Sequence, residues 1–271
     1  MATAEKKLNK KLTDKAIITY DLVLVGASPA NLSLAHRLCE LISLKPDMHL
    51  SVAILEKAEE FGGHIVSGAV VNKRIFDKVF PNHVADNMPI ESVCEESSFS
   101  LLGRKNKFDV PSVITRAVLP DFIKEGYYVL TLSNVVAWMA ETLQTKAAEI
   151  PNIDIDMCNG FPATEIRYDE NDKVSALRIS NTGDDLEDFV HGDLFCFADK
   201  GFLSKDIIKK FNLQDNPQLW SVGVKETWRL RDNAPEVKGK VWHTLGFPTL
   251  DGTLGGGFIY GLDHNRITIG Q

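Results

Sequence analysis

The stretch from Tyr20 to Leu38, YDLVLVGASPANLSLAHRL, constrains this chain more than any other. Residues 21–25, DLVLV, are a short unbroken apolar run, the pattern of a parallel strand buried on both faces. Gly26 then opens a sharp turn, and NLSLAHRLCELI from Asn31 places apolar residues at helical spacing. Strand, glycine turn and helix in this order open a βαβ unit whose turn, in the G-x-G-x-x-G pattern, receives a dinucleotide pyrophosphate. The first glycine makes the turn, the second admits the pyrophosphate against the backbone, and the third lets helix and strand pack closely. Here those places hold Gly26, Ser28 and Asn31.

Residues 50–56, LSVAILE, read as the next parallel strand, and the roughly 24 residues between the two strands suit a crossover helix. Glu56 ends that strand, where an acid accepts hydrogen bonds from an adenosine ribose and disfavours a 2′-phosphate. Ser28 adds a Cβ where a pyrophosphate would press; with a positive φ there, strain of about 1–3 kcal/mol would follow. Asn31 would prop the helix off the strand, or else cap it. Ser28 has a second reading, as a hydroxyl donor to a phosphate oxygen. If turn geometry limits affinity, restoring both glycines strengthens binding.

Composition narrows the remaining classes. With 44% hydrophobic and 25% charged residues, the 271-residue chain is an ordinary globular protein in composition. A net charge of −7 offers no broad basic surface to nucleic acid. The four cysteines, Cys39, Cys94, Cys158 and Cys196, are far apart with no C-x-x-C pair, so neither structural zinc nor an iron–sulfur cluster is expected, and a reducing compartment is. No run reaches the length of a membrane span. The five lysines ahead of the first strand read as a solvated tail rather than a transit peptide.

Further along, residues 59–71 form a glycine-rich loop around His64 and Ser67, and 75–130 holds short strand-like pieces. Residues 132–149 have helical spacing, with Ser133 or Asn134 as the cap. Strand-like runs follow at 153–157, 164–180 (a hairpin turning at Asp169) and 193–198. From Trp220 onward the alternation predicts a second, antiparallel layer, with Trp220, Trp228, Trp242 and Phe247 as its packing residues. No Ser-His-Asp, H-E-x-x-H or paired-carboxylate arrangement is readable from spacing, so no catalytic residue is assigned; His191 and His243 read as structural.

Taken together, YDLVLVGASPANLSLAHRL, ILEKAEEFGGHIVSGAVV, GYYVLTLSNVVAWMAE, FADKGFLSKDIIKKFNL and VGVKETW…GKVWHTLGFPTLDGTLGGGFIYGLD resemble the electron transfer flavoprotein–ubiquinone oxidoreductases over nearly the whole chain from about residue 20. The resemblance implies a mixed α/β fold: a Rossmann-like FAD-binding domain of the FAD monooxygenase/glutathione-reductase type with an inserted or appended antiparallel-sheet layer, truncated at the C-terminus. It implies a tail at 1–18, an FAD-binding region with an insert at 19–130, completing helix and strands at 131–200, and a quinone-side sheet at 201–271. Gly26, Ser28 and Asn31 would form the pyrophosphate turn, and Glu56 with Lys57 the ribose end. Gly62, Gly63, His64, Ser67, Gly68 and Ala69 would lie near the flavin, Asp199 in a second flavin fingerprint, and Gly255, Gly256, Phe258 and Tyr260 on the quinone-facing side. FAD would be the cofactor, and electron transfer flavoprotein and ubiquinone the partners. The location would be the matrix side of the mitochondrial inner membrane, or the bacterial cytoplasm and inner-membrane periphery.

The departures from that family's pattern are specific. Its turn reads G-G-G-P-A-G, and its second fingerprint, F-A-E-G, appears here as Phe197-Ala198-Asp199-Lys200. Tyr127 stands for an asparagine, and Gly261 for a histidine. The family pattern continues past Gln271 with a third flavin-contacting segment and four cluster cysteines, so the resemblance places no 4Fe-4S cluster in this chain. Two classes of function therefore stand: an FAD-dependent oxidoreductase passing electrons towards quinone, or a cofactor-eroded homologue, a pseudoenzyme with degenerate motifs serving as a subunit whose partners cover the truncated face. An NAD-dependent or acyl-reducing enzyme of the wider fold is permitted by Glu56 but disfavoured by the family segments.

Overall fold

The computed structural model of this chain describes residues 18–66, 68–180, 187–199, 201, 203–216, 221–249 and 255–271. Its strands, numbered along the chain, begin with β1 (Ile18–Val25), β2 (Leu50–Glu56), β3 (Gly68–Val71), β4 (Ile90–Val93), β5 (Glu96–Leu102), β6 (Lys107–Val110) and β7 (Tyr128–Thr131). They continue with β8 (Ile153–Asn159), β9 (Ala163–Tyr168), β10 (Val174–Ser180), β11 (Glu187–Phe197), β12 (Lys225–Arg229), β13 (Lys240–Gly246), β14 (Gly256–Leu262) and β15 (Arg266–Gly270). The helices are α1 (Pro29–Ser43), α2 (Arg74–Val79), α3 (Ser112–Val118), α4 (Leu132–Ala148) and α5 (Leu203–Lys210). The described residues within Met1–Ile65 and Val136–Gln218 form one compact unit, and those within Val66–Val135 and Leu219–Gln271 a second.

In the first unit a six-stranded sheet runs β8-β2-β1-β11-β10-β9. The β8, β2, β1 and β11 pairings are parallel, and β10 pairs antiparallel with both β11 and β9. The unbroken apolar run of β1 is explained by burial on both faces. Val23 and Val25 join Ala53, Leu55, Leu177 and Val190 in one cluster, while Leu22 and Leu24 alternate to the opposite face and are buried there too. In α1 the buried positions Leu32, Ala35, Cys39 and Ile42 repeat at helical spacing. His36 brings α1 to α4, its Nε2 lying 2.9 Å from the carbonyl oxygen of Met139. A carbonyl only accepts, so Nε2 carries the proton, and burial holds the ring below its ordinary pKa and neutral.

The hairpin expected at 164–180 is β9–β10, and its turn is tied by the Asp169 carboxylate accepting the N–H groups of Asn171 and Lys173. Helix α4 begins at Leu132, so Ser133 and Asn134 lie inside its first turn rather than at its cap.

The second unit holds a six-stranded sheet, β12-β15-β14-β13-β5-β6, and a three-stranded sheet, β3-β7-β4. The C-terminal layer is antiparallel with one exception: β13 pairs in parallel with β5. Strands β5 and β6, from the middle of the chain, complete the layer. Residues 112–118 fold as a helix where the sequence showed only strand-like pieces, and the end of the glycine-rich loop, Gly68–Val71, is a strand. Of the aromatic residues expected to pack this layer, Trp228 and Phe247 are exposed. Trp228 sits on β12 at the sheet edge, its indole N–H donating to Glu226. Trp220 lies outside the described residues.

Candidate functional site: the cavity at the carboxyl ends of β1 and β2

In an open α/β sheet, ligands bind outside the carboxyl ends of the strands where the strand order reverses. β1 is that point here, with β2 on one side and β11 on the other. A cavity of about 340 Å³ opens there, lined by Val25, Gly26, Ala27, Ser28, Leu55, Glu56, Lys57, Gly62, His64, Ile65, the run 162–164, Ala198 and Asp199.

The turn itself is well formed. Gly26 has φ +87, and a Cβ there would come within 2.7 Å of the Ala198 carbonyl oxygen, so the first glycine is required twice over. Its N–H donates to the Leu55 carbonyl at 2.8 Å, joining the ends of β1 and β2. Ser28 has φ −79 and ψ 164, ordinary extended backbone, so the strain that a positive φ would have brought is absent. It is the N-cap of α1, its hydroxyl oxygen accepting the Asn31 N–H at 3.4 Å.

Asn31 does not prop the helix away. Its side chain is buried, and its amide nitrogen donates to the carbonyls of Val25 (3.1 Å), Gly26 (2.9 Å) and Cys196 (3.4 Å). It therefore ties the helix start to the ends of β1 and β11, work that a small residue would otherwise do by close contact. The N–H groups of Ser28 and Ala30 have no hydrogen-bond partner among the described residues, as expected in a first helical turn.

Glu56 reaches the same cavity from β2. Its carboxylate accepts the Ala27 N–H at 3.0 Å and the Ala58 N–H at 2.8 Å, one on each oxygen, which leaves each oxygen a further lone pair. This dual role, brace and potential ligand contact, was not readable from the sequence. Asp199 lines the cavity, but its carboxylate caps α5, accepting the Leu203 and Ser204 N–H groups and the Ser204 hydroxyl.

The structure thus brings Gly26, Ser28, Glu56, Lys57, Gly62, His64 and Asp199 to one cavity, with Asn31 behind its turn. Gly63 is an exposed neighbour in the chain. Gly68 and Ala69 open β3 in the second unit, and Ser67 lies outside the described residues, as does Lys200. Pro162, Ala163 and Thr164 join the cavity without having been foreseen; their only signal is that they follow a strand end.

In the second unit Gly256, Phe258 and Tyr260 lie on β14, with Gly255 just before it. The Phe258 and Tyr260 rings stack at 4.5 Å, and the Tyr260 hydroxyl lies 3.2 Å from His243 Nε2. Burial, with Lys124 adding to it, lowers His243 to about 4, and burial raises Tyr260 to about 12, so both are neutral near pH 7. Cys39, Cys94 and Cys158 are buried and Cys196 is half-buried. Among the described residues no group of three or more His, Cys, Asp or Glu side chains is arranged to hold a metal, and no helix is long and apolar enough to cross a membrane.

The turn, the acid at the end of β2 and the cavity between them fit the adenosine diphosphate half of FAD: free N–H groups and a helix start for the anion, an acceptor for ribose hydroxyls, and apolar walls. Comparison with known proteins agrees. A family model described as ETF-QO, ubiquinone-binding, matches residues 220–271. The mitochondrial electron transfer flavoprotein-ubiquinone oxidoreductase of Arabidopsis thaliana is 34% identical over 269 residues, 93% of this chain and 40% of that protein. A probable electron transfer flavoprotein-ubiquinone oxidoreductase of Acinetobacter baylyi is 31% identical over 274 residues, covering 95% of this chain and 46% of its own length. The chain thus spans less than half the length of these relatives. Among solved structures, a geranylgeranyl bacteriochlorophyll reductase-like protein of Thermoplasma acidophilum superposes with a TM-score of 0.60 at 18% identity, over 94% of this chain and 56% of that one. A myxobacterial FAD-dependent halogenase superposes with a TM-score of 0.58 at 13% identity, over 93% and 52%. The fold is accordingly the Rossmann-like FAD-binding type with added antiparallel sheets. By sequence, this chain is a partial-length relative of the electron transfer flavoprotein–ubiquinone oxidoreductases.

Proposed function

We propose that this chain is an FAD-binding oxidoreductase component that passes electrons towards a quinone. The observation that carries the reading is the intact geometry at the carboxyl ends of β1 and β2: a positive-φ glycine, two unpaired N–H groups at the start of α1, and the Glu56 carboxylate, all at one cavity. Gly26, Ser28 and Ala30 would face the diphosphate, and Glu56 the ribose hydroxyls. Lys57 and His64 stand at the cavity rim, where they would shield the bound group from water. Bound there, FAD would supply the electron-accepting ring; the protein's part is to hold and orient it.

The electron donor would be an electron transfer flavoprotein and the acceptor ubiquinone, as the names of the relatives indicate for those proteins. The segment 220–271, matched by the ubiquinone-binding family model, would form the quinone side, with Gly255, Gly256, Phe258 and Tyr260 in it. Its place would be at a mitochondrial or bacterial inner membrane, as a peripheral protein. The alternative of a cofactor-free scaffold draws no support from the geometry of the turn, which is neither strained nor blocked by Ser28.

The test is to purify the chain and titrate it with FAD, following visible absorbance and quenching of flavin fluorescence. Saturable, one-to-one binding is expected. A chain that stays colourless and leaves added flavin fully fluorescent would overturn the reading.

A further inference from the structure

We propose that Ser28 and Asn31 together rebuild the anion cradle that the missing glycines would have formed, Ser28 as a donor to a phosphate oxygen and Asn31 as the positioning residue behind it. The inference rests on the dinucleotide reading of the cavity and adds to it which groups hold the diphosphate in this chain.

Three observations carry it. First, Ser28 lines the cavity, and its hydroxyl oxygen accepts the Asn31 N–H at 3.4 Å. That bond uses a lone pair only; the hydroxyl hydrogen has no acceptor among the described residues. Second, a diphosphate is repelled by the negative ends of nearby carbonyls. In this turn the Val25 and Gly26 carbonyls are both held by the Asn31 amide, at 3.1 and 2.9 Å, beneath the helix start. The turn leaves three donors unengaged, the Ser28 and Ala30 N–H groups and the Ser28 hydroxyl, against one carbonyl, that of Ala27, without a donor among the described residues. Third, the first turn of α1 carries no acidic residue of its own, and the two acids that line the cavity are already engaged, Glu56 on the Ala27 and Ala58 N–H groups and Asp199 at the start of α5, so the partial positive charge of a fifteen-residue helix remains directed at the cavity. Glu56 is turned onto Ala27 and Ala58, which fixes its carboxylate at the ribose end.

The full chain should therefore prefer a nucleoside diphosphate over the nucleoside, and that preference should depend on Ser28. Calorimetric titration with ADP and with adenosine measures both. The unaltered chain should bind ADP at least about tenfold more tightly than adenosine, given the strength of charge-assisted hydrogen bonds. Ser28→Ala should lose about tenfold in ADP affinity while adenosine affinity stays within about twofold. Ser28→Asp keeps a capping acceptor for α1 but sets a carboxylate against the phosphates; it should abolish the preference for ADP and still bind adenosine. Ser28→Thr should retain the preference. Asn31→Ala should narrow the ADP-to-adenosine ratio by freeing the Gly26 carbonyl, the Val25 carbonyl keeping the Ala198 N–H at 2.8 Å, with retained adenosine binding as the check that the unit is folded.

An unaltered chain that binds ADP no better than adenosine, or a ratio unchanged in Ser28→Ala and Ser28→Asp, overturns the cradle and leaves the adenosine site standing. An unaltered chain that binds neither adenosine, ADP nor FAD overturns the dinucleotide reading and the cradle together.

Discussion

The N–H of Ala27 donates to Oε2 of Glu56 at 3.0 Å, a bond between residues 29 positions apart that fixes the turn after β1 to the end of β2. Oε1 of the same carboxylate takes the Ala58 N–H at 2.8 Å. The acid is therefore a brace of the fold itself as well as a hydrogen-bond acceptor facing the cavity.

Removing that brace should be felt without any ligand. Glu56→Ala leaves two N–H groups without their acceptor, and the expected loss is about 1–3 kcal/mol of stability. Glu56→Gln keeps one oxygen and should lose less. Urea unfolding of the ligand-free protein reads both, and equal midpoints for all three proteins would show that the brace contributes nothing.

The motif alone suggests that Ser28→Gly with Asn31→Gly would improve FAD binding. The geometry reverses the expectation. Ser28 is unstrained, and Asn31 holds three backbone carbonyls, so the double change removes a cap and a tie and adds backbone freedom at both sites. Weaker FAD binding and a lower unfolding midpoint are expected, the cap alone contributing about 1 kcal/mol. Tighter binding in a fluorescence titration would contradict this account of the turn.

In the second unit the Glu91 carboxylate is buried, with Thr131 donating at 2.7 Å and Arg266 at 2.9 Å. Arg266→Ala should destabilise by about 2–3 kcal/mol, because it strands a buried charge rather than because the pair itself is strong. Pairing it with Glu91→Leu should recover part of the loss. A double-mutant cycle by chemical unfolding gives the coupling, and additive effects would refute it.

His243 gives stability a pH dependence of definite sign. Its folded pKa is lowered from 6.5 to about 4 by burial, so the unfolded chain takes up a proton first as pH falls. Stability present above pH 6.5 should drain away as pH drops towards about 4, and His36, also lowered by burial, acts in the same direction. His243→Phe, which keeps an aromatic ring beside Phe122, should reduce the difference between unfolding midpoints at pH about 7 and about 5. An undiminished difference would assign the dependence to other groups.

Local signals carried far in this protein. An apolar run buried on both faces, a glycine at the one backbone angle it alone tolerates, and the spacing of Leu32, Ala35 and Cys39 announce β1, the turn and α1 because each depends on neighbours in the chain. The β9–β10 turn at Asp169 was legible for the same reason. What the alternation of the C-terminal strands could not disclose was that β13 pairs in parallel with β5, more than a hundred positions away. Helix α3 also escaped the pattern, being too short for its period to show.

At the candidate site the amino acids by themselves determined which chemistry was present: one glycine, an acid at a strand end, and a serine and an asparagine in foreign places. Only the tertiary structure decided what those two do. Whether Ser28 strains or caps depends on a backbone angle, and whether Asn31 separates or ties depends on where the carbonyls of Val25, Gly26 and Cys196 converge. Hydrogen bonds are directional and act between groups distant in sequence, so residue type names the donors and acceptors while the fold alone decides which of them meet.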